Sequence, residues 1–181
     1  TLDVARATLA AIARPAERQQ ARACLASSYA SLAEFEEALK QVRGIELGYT
    51  HSFVLSRIVL AMARSGDAAE AVRLAETIQD EKLRISTFVT MSGIAGKRGK
   101  AQVAAELGAR AMGLARELKI PFDMAFVLAD LATAQAAAGD AEAARATLGE
   151  AVGIAAKITD PWARARALSK AASALVAING I

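Results

Sequence analysis

Turn signals recur along this chain at nearly fixed intervals, and this periodicity restricts the fold more than any other feature. Turns are expected at Ala33, Gly66, Gly99 and Gly139, and a last turn is expected at Asn179–Gly180. The turns recur at about 33 residues up to Gly99 and at about 40 residues beyond it, and self-similarity at a period of roughly 20–50 residues is typical of repeat architectures. The two periods differ by about two turns of α-helix, so helices of both lengths present their apolar face in the same direction.

Residues other than alanine support the longer period. Three pairs are separated by the same interval as Gly139 and Asn179: Pro121–Phe122 with Pro161–Trp162, Leu128 with Leu168, and Gly113 with Gly153. Alanine matches alone would carry little weight, because about a quarter of the chain is alanine and only 4% is aromatic. The same composition favours an all-helical protein, since alanine loses no side-chain entropy in a helix.

Each repeat is predicted to consist of a helix, a turn and a second helix. The first helices carry the helical spacing i, i+3, i+4, i+7 in three sets: Leu55, Ile58, Val59 and Met62; Phe88, Met91, Ser92 and Ala95; Leu128, Leu131, Ala132 and Gln135. The second helices carry apolar faces in three further sets: Ala38, Leu39, Val42 and Ile45; Ala71, Val72, Ala75 and Ile78; Ala144, Leu148, Ala151 and Val152. Small residues are expected where paired helices cross. Helices are expected to start at Pro15, Pro121 and Pro161, the last with Asp160 as its N-cap.

These patterns predict an all-α fold, an α-solenoid built as a right-handed stack of antiparallel helix pairs with about ten helices. One helical-repeat domain is expected over residues 1–181. Its predicted parts are a partial repeat at 2–14, full repeats at 15–47, 48–80, 81–119 and 120–159, and a partial repeat at 160–181.

Two stretches resemble the tetratricopeptide repeat (TPR) signature. They are Leu25–Ala26, Tyr29, Ala33, Phe35 and Ala38, and then Leu131–Ala132, Gly139–Asp140, Ala144 and Ala151. The resemblance extends over nearly the whole chain, but tryptophan is missing at every early position and the longer spacing exceeds the family's usual period. The chain therefore looks like a TPR or a TPR-like relative. This resemblance implies a superhelix whose first helices line a concave groove for peptides or partner helices.

On this resemblance, sixteen positions of the first helices would face the groove. They are Gln20, Ala23, Ser27 and Ala30; Phe53, Ser56, Leu60 and Ala63; Ser86, Val89, Gly93 and Gly96; Phe126, Ala129, Thr133 and Ala136. None of them is charged, and the three large apolar side chains among them are Phe53, Leu60 and Phe126. The alternative is that these positions only pack between closely spaced helices.

Three basic residues border the predicted groove: Arg57, Arg64 and Lys97. An apolar floor with a basic edge suits an amphipathic helix that carries some acidic residues. The predicted partner-binding residues are therefore these three and the three large apolar ones, Phe53, Leu60 and Phe126. If Phe126 is an anchor, its truncation should weaken binding; if it belongs to the core, truncation should destabilise the fold instead.

No arrangement typical of catalysis, metal binding or cofactor binding occurs in the sequence. His51 is the only histidine, and it is expected in a first helical turn after Thr50 as N-cap. Cys24 is the only cysteine and is expected to act as a small buried hydrophobe. The glycines at 93, 96 and 99 lack the Gly-Lys-Ser/Thr ending of a phosphate loop. We therefore expect a protein that is not an enzyme and carries no metal or cofactor.

The favoured function is a protein-interaction scaffold or assembly subunit that binds a protein or peptide partner. The alternative is a ligand- or peptide-sensing regulatory domain. RNA binding by helical repeats is a less favoured third, because none of the predicted groove positions is charged. The net charge is also only +3, and most basic residues are interleaved with acidic ones. No long apolar run predicts a membrane span. A single free cysteine fits either the cytosol or the periplasm, and the chain starts with Thr1 rather than Met.

The two ends of the sequence carry a further expectation. Residues 2–13 have the pattern of the second helix of a repeat, with Ala5, Leu9 and Ile12 on its packing face, and no first helix precedes them in this sequence. The other end reads as a first helix whose missing partner would cover Leu168, Ala171, Ala172 and Leu175. Solenoids normally finish with polar caps. We therefore expect that the natural chain extends further, or that the end helices pack on another chain, for instance by self-association.

Overall fold

The computed structural model describes residues 2–180, and within that range every regular element is an α-helix. About 80% of the chain is helical. The ten helices are α1 Leu2–Leu9, α2 Pro15–Ser31, α3 Phe35–Val42, α4 Tyr49–Ser65, α5 Ala68–Ala75, α6 Glu81–Lys97, α7 Ala101–Arg116, α8 Pro121–Ala137, α9 Ala141–Ala156 and α10 Pro161–Asn179. The expected all-α class and the helix count are confirmed. Of these helices, none is long and apolar enough to cross a membrane.

The chain divides into two compact units. Unit 1 runs up to Thr87 and unit 2 starts at Phe88, so the division falls inside α6. In unit 1, α2 packs on α1, α3 and α4, and α4 also packs on α3 and α5. In unit 2, α8 packs on α7, α9 and α10, and α10 also packs on α9. Each of these contacts joins helices that are adjacent in sequence or one removed.

The apolar faces predicted from periodicity form the cores of the two units. The predicted faces of α4 and of α6 are buried in full, and on α8 only Gln135 is partly exposed. Three positions of other helices were predicted wrongly. Val152 is 40% exposed, because α9 buries the face made by Ala144, Leu148, Ala151 and Ala155 instead. Ala5 is exposed on α1, which ends at Leu9 and so leaves Ile12 outside the helix.

The predicted turns are the positions where the backbone is left-handed. Residues 33, 66, 99, 139 and 180 all have positive φ, and Ala33, at φ 61°, is the only non-glycine among them in the described range. Three first helices end in the same way. At Ala33, for example, its N–H donates to the Ala30 carbonyl at 3.1 Å and the Glu34 N–H donates to the Tyr29 carbonyl at 2.9 Å. This is the Schellman pattern of helix termination.

The helix starts agree with the sequence at the prolines but not at α4. Pro15, Pro121 and Pro161 occupy the first helical positions, and Asp160 accepts a hydrogen bond from the Ala163 N–H at 2.7 Å. The N-cap of α4 is Gly48 rather than Thr50. Gly48 has φ 151°, a conformation that glycine adopts without a steric penalty, and the helix therefore begins earlier than expected.

Two small-residue positions let α6 and α8 approach closely within unit 2. A Cβ built on Gly96 would lie 2.5 Å from the Cα of Ala138, closer than atoms pack. A Cβ on Gly93 would lie 3.6 Å from the Cβ of Ala134, which is ordinary contact. Gly96 is the residue that this close approach requires, although α6 and α8 are both first helices and do not form one of the predicted pairs.

Candidate functional site

Four of the six predicted partner-binding residues lie on one face of α4. Phe53, Arg57, Leu60 and Arg64 are spaced by four, three and four residues, and this spacing aligns side chains along a helix. Phe53 is 41% exposed, Leu60 is half-buried, and both arginines are exposed. Unit 1 therefore presents an apolar and basic strip on its surface.

The sequence reasoning missed one member of this strip, Tyr49. It is 65% exposed, and its ring stacks on that of Phe53 with the centroids 6.0 Å apart and an interplanar angle of 18°. Tyr49 precedes Phe53 by four residues, so the spacing that aligned the other members also identifies it. Leu47, just before the helix, is 68% exposed. We refer to Tyr49, Phe53, Arg57, Leu60 and Arg64 as the α4 strip.

The buried side of α4, which begins directly beside the α4 strip, is fixed in the core of unit 1. Ser56, predicted to face the groove, is buried, and its hydroxyl lies 2.7 Å from that of Thr87. Thr87 donates its own proton to the Leu83 carbonyl at 2.6 Å, so Ser56 is the donor to Thr87. Ala63 is buried as well. At these two positions the alternative of packing between helices holds, and the rigid attachment of this face orients the α4 strip.

A polar depression of about 450 Å³ adjoins the start of α4 in unit 1. Its lining residues come from α2 and from the segment around the start of α4: Pro15, Ala16, Gln19, Gln20, Glu46 and Thr50. The Gln19 Oε1 atom accepts a hydrogen bond from the Glu46 backbone N–H at 3.2 Å, which ties the two sides together. Gln20, a predicted groove position, is exposed, so its amide can donate to or accept from a peptide backbone.

The other two predicted residues, Phe126 and Lys97, lie in unit 2. Phe126 is half-buried and packs on a core cluster that includes Ala125 and Ile158. Its ring centroid is 4.5 Å from that of Phe122, and the Lys170 ammonium is 6.0 Å from its centroid. Lys97 is exposed at the end of α6. Phe126 therefore contributes to the packing of unit 2, unlike the open ring of Phe53.

A cleft of about 250 Å³ in unit 2 was not predicted. It is lined mainly by small residues of α7, together with residues of α6, α8 and α9: Ser92, Ala101, Ala104, Ala105, Gly108, Ala109, Met112, Gln135, Ala138, Asp140 and Ala143. The hydroxyl of Ser92 donates to the Ala104 carbonyl at 2.7 Å, whereas the buried Oε1 atom of Gln135 has no hydrogen-bond partner. The spacing of the small residues on α7 was the available signal.

The two reactive side chains do not form a site. His51 is half-buried in the first turn of α4, and this burial lowers its pKa. Its Nδ1 atom has no hydrogen-bond partner. Cys24 is exposed rather than buried, because α2 turns Ala23, Leu25 and Ala26 toward the core instead. The residues that the structure describes contain no group of three His, Cys, Asp or Glu side chains able to hold a metal.

Comparisons with known proteins identify one structural neighbour. No protein-family model matches the chain, and none of the curated proteins matches it. The crystal structure of Ton1535 from Thermococcus onnurineus NA1 is similar with a TM-score of 0.60 and 19% identity over 83% of this chain. The chain spans 45% of the length of that protein. At this identity the similarity concerns the fold alone, an all-helical and repeat-like arrangement.

Proposed function

We propose that this protein is a non-enzymatic interaction scaffold that binds a partner peptide or helix through the α4 strip. The observation that carries the proposal is the exposed, stacked pair of Tyr49 and Phe53 beside two arginines. Large apolar side chains grouped on a surface favour association, and aromatic and arginine residues dominate the energetics of protein interfaces. The nearby polar depression offers amide groups for the backbone of the same partner.

The architecture proposed for this function is a TPR-like α-solenoid of antiparallel helix pairs. Two findings support it: the left-handed turns, which recur at the two periods expected from the sequence, and the repeat-like structural neighbour. In such a superhelix the first helices, α4 among them, line the binding surface.

The chemistry of the α4 strip defines the partner. An amphipathic helix would place an apolar side chain against Tyr49 and Phe53 and acidic side chains against Arg57 and Arg64. Exposed ion pairs contribute roughly 0–1 kcal/mol each, whereas a buried aromatic anchor contributes roughly 1–3 kcal/mol. The aromatic pair should therefore supply most of the affinity, and the arginines should set orientation and association rate.

Binding measurements on three variants test this proposal. A partner isolated with the wild-type protein would be titrated by calorimetry against Phe53→Ala, Arg57→Glu and the control Leu32→Ala, since Leu32 is 62% exposed and lies outside the α4 strip. We expect Phe53→Ala to weaken binding about tenfold or more, Arg57→Glu to weaken it and to change its salt dependence, and Leu32→Ala to have no effect. Unchanged affinity in both strip variants would reject the site. A steep loss of affinity with salt in the wild type would point to nucleic acid instead.

The second candidate function is a ligand-sensing regulatory domain, and the cleft of unit 2 is the observation that favours it. A small apolar molecule with one hydrogen-bond donor would suit its alanine-rich walls and the unpaired acceptor of Gln135. Native mass spectrometry of the purified protein would reveal a bound molecule. Ala105→Leu, which fills the cleft, should abolish that binding, whereas Ala146→Leu, at an exposed position of α9 outside the cleft, should not. Absence of any bound mass in the wild type would argue against this candidate.

A further inference from the structure

Two residues of opposite charge flank the aromatic pair of the α4 strip. Arg57 is exposed one helical turn after Phe53. Glu46 is exposed in the segment that precedes α4, three residues before Tyr49, and it lines the polar depression at the start of the helix. The apolar surface of Tyr49 and Phe53 therefore lies between a carboxylate at one end and a guanidinium group at the other.

Neither of these two charges is neutralised within the part of the chain that the structure describes. No described side chain forms an ion pair or a hydrogen bond with the Glu46 carboxylate or with the Arg57 guanidinium group. Arg18, which lies in sequence between two lining residues of the depression, donates instead to the Ile12 carbonyl at 2.7 Å. Charged groups gain most from charge-assisted hydrogen bonds to a group of opposite sign, so both ends of the aromatic pair are available to a partner.

The backbone at both ends fixes the separation of the two charges. The Glu46 N–H donates to the Gln19 Oε1 atom at 3.2 Å, and Arg57 projects from a helix whose buried side is held in the core of unit 1. Thr50, the α4 residue that lines the depression, precedes Arg57 by seven residues, which corresponds to about 10 Å along the helix axis. In a partner helix that lies along α4, the same distance separates residues i and i+7, which share one face.

We propose that the partner of the α4 strip is an amphipathic helix that carries a basic and an acidic residue seven positions apart on one face, with an apolar residue between them. The basic side chain pairs with the Glu46 carboxylate in the depression, the apolar one covers the aromatic pair, and the acidic one pairs with Arg57. This inference rests on the proposed function, and it adds the sign of the charge that the partner presents at each end. Complementary charges of this kind fix the register of a complex more than they raise its affinity.

The expected contribution of each charge is modest, because both charged side chains are exposed. An exposed ion pair changes an affinity by up to about fivefold. A partner that places an acidic residue at the Glu46 end exchanges this attraction for repulsion, so its affinity should be about three- to tenfold lower. The aromatic pair still supplies most of the binding. The discrimination between charge patterns should disappear at about 1 M salt, where the Debye length is about 3 Å.

Three labelled synthetic helical peptides test the charge pattern by fluorescence anisotropy. The peptides share one leucine-based apolar face and differ only at the two flanking positions, which are basic and acidic, both acidic, or both basic. The peptide with one basic and one acidic residue should bind tightest, and each of the others should bind about three- to tenfold more weakly. Equal or tighter binding of the doubly acidic peptide would overturn the inference, because the positive ends of α2 and α4 would then dominate the depression.

Variants of the protein distinguish the failure of this inference from the failure of the proposed function. Glu46→Lys should transfer the preference to the doubly acidic peptide, whereas the control Glu36→Lys, an equal change of charge at an exposed position of α3, should leave the preference unchanged. Phe53→Ala should weaken the binding of all three peptides. If Phe53→Ala weakens binding but Glu46→Lys does not alter the preference, the inference fails and the proposed function stands. If Phe53→Ala has no effect, or if no peptide binds, both fail.

Discussion

Replacement of Ala33 by glycine should stabilise unit 1. Ala33 ends α2 with φ 61°, a left-handed conformation in which the alanine Cβ crowds the following carbonyl oxygen. The corresponding position at the end of α6 is Gly99, with φ 71° and the same pair of hydrogen bonds to the preceding turn. Ala33 therefore occupies a position that the other repeats fill with glycine.

The expected gain follows from two opposing terms. Relief of the left-handed strain is worth roughly 1–2 kcal/mol, and the greater freedom of glycine in the unfolded chain costs roughly 0.4–1 kcal/mol. The side chain of Ala33 is exposed, so its removal loses no packing. A net stabilisation of about 0.5–1 kcal/mol remains, which corresponds to a rise in melting temperature of roughly 1–4 °C.

The reverse substitution, Gly99→Ala, is the matched control. A Cβ at Gly99 would meet nothing within 4 Å, so any effect comes from the backbone alone. It should destabilise the protein by about 0.5–1 kcal/mol, a change equal in size and opposite in sign. Because Ala33 lies in unit 1 and Gly99 in unit 2, the two substitutions should shift different transitions if the units unfold separately.

Urea denaturation followed by circular dichroism measures both effects. The midpoint should rise for Ala33→Gly and fall for Gly99→Ala at constant m-value, which would indicate a change in stability without a change in the surface exposed on unfolding. A destabilised Ala33→Gly would mean that residue 33 does not adopt the left-handed conformation. If both variants shift in the same direction, the equivalence of the two turns is refuted.

Three further predictions concern packing and charge in unit 2. Gly96→Ala should destabilise the protein by roughly 1–3 kcal/mol, because the added Cβ meets the backbone at the end of α8. Gly113→Ala is the control, since a Cβ there meets nothing, and it should stabilise the protein by roughly 0.5–1 kcal/mol. Equal effects of the two substitutions in thermal melts would exclude the close approach of α6 and α8. Phe126→Ala should lower the free energy of unfolding by roughly 2–4 kcal/mol, because the ring packs on a core cluster. A loss below about 1 kcal/mol in urea melts would indicate that the ring is a surface residue instead. The hydrogen bond from Arg116 lowers the pKa of Glu150 in the folded protein below its ordinary value of 4.5. The pair therefore stabilises the fold at pH values above 4.5, and this contribution is lost as the pH falls through the lower folded-state pKa. The difference in stability between wild type and Arg116→Gln should shrink in acid, and a difference that does not change with pH would argue against the pair.

The sequence by itself determined the helices and most of their ends, although not the start of α4 or the end of α1. Helical spacing of apolar residues predicted the buried faces of α4, α6 and α8, and prolines marked the starts of α2, α8 and α10. The turn positions at 33, 66, 99, 139 and 180 were all predicted, and all have positive φ. These features depend on backbone preferences within a few residues, so they can be predicted without knowing what packs on the helix.

The sequence also identified most of the α4 strip, but it could not rank its members. Phe53 and Phe126 are equivalent in the repeat pattern, yet Phe53 stacks on Tyr49 at the surface and Phe126 packs on Phe122 over a core cluster. The difference arises from residues distant in sequence, such as Ile158, which cover one ring and not the other. Periodicity predicts which face of a helix is apolar, but it does not predict which helices pack against that face.

Only the tertiary structure decided which surfaces are buried against another helix and which remain exposed to solvent. Gly96 reads as a groove position in the repeat pattern, but the approach of Ala138 turns it into a contact between helices. The cleft beside Gln135 exists because small side chains of α7 leave space that no other helix fills. Leu168 of α10 is exposed at the same register at which Leu128 of α8 is buried. Exposure depends on the packing of whole helices, and the local sequence that defines each helix does not specify that packing.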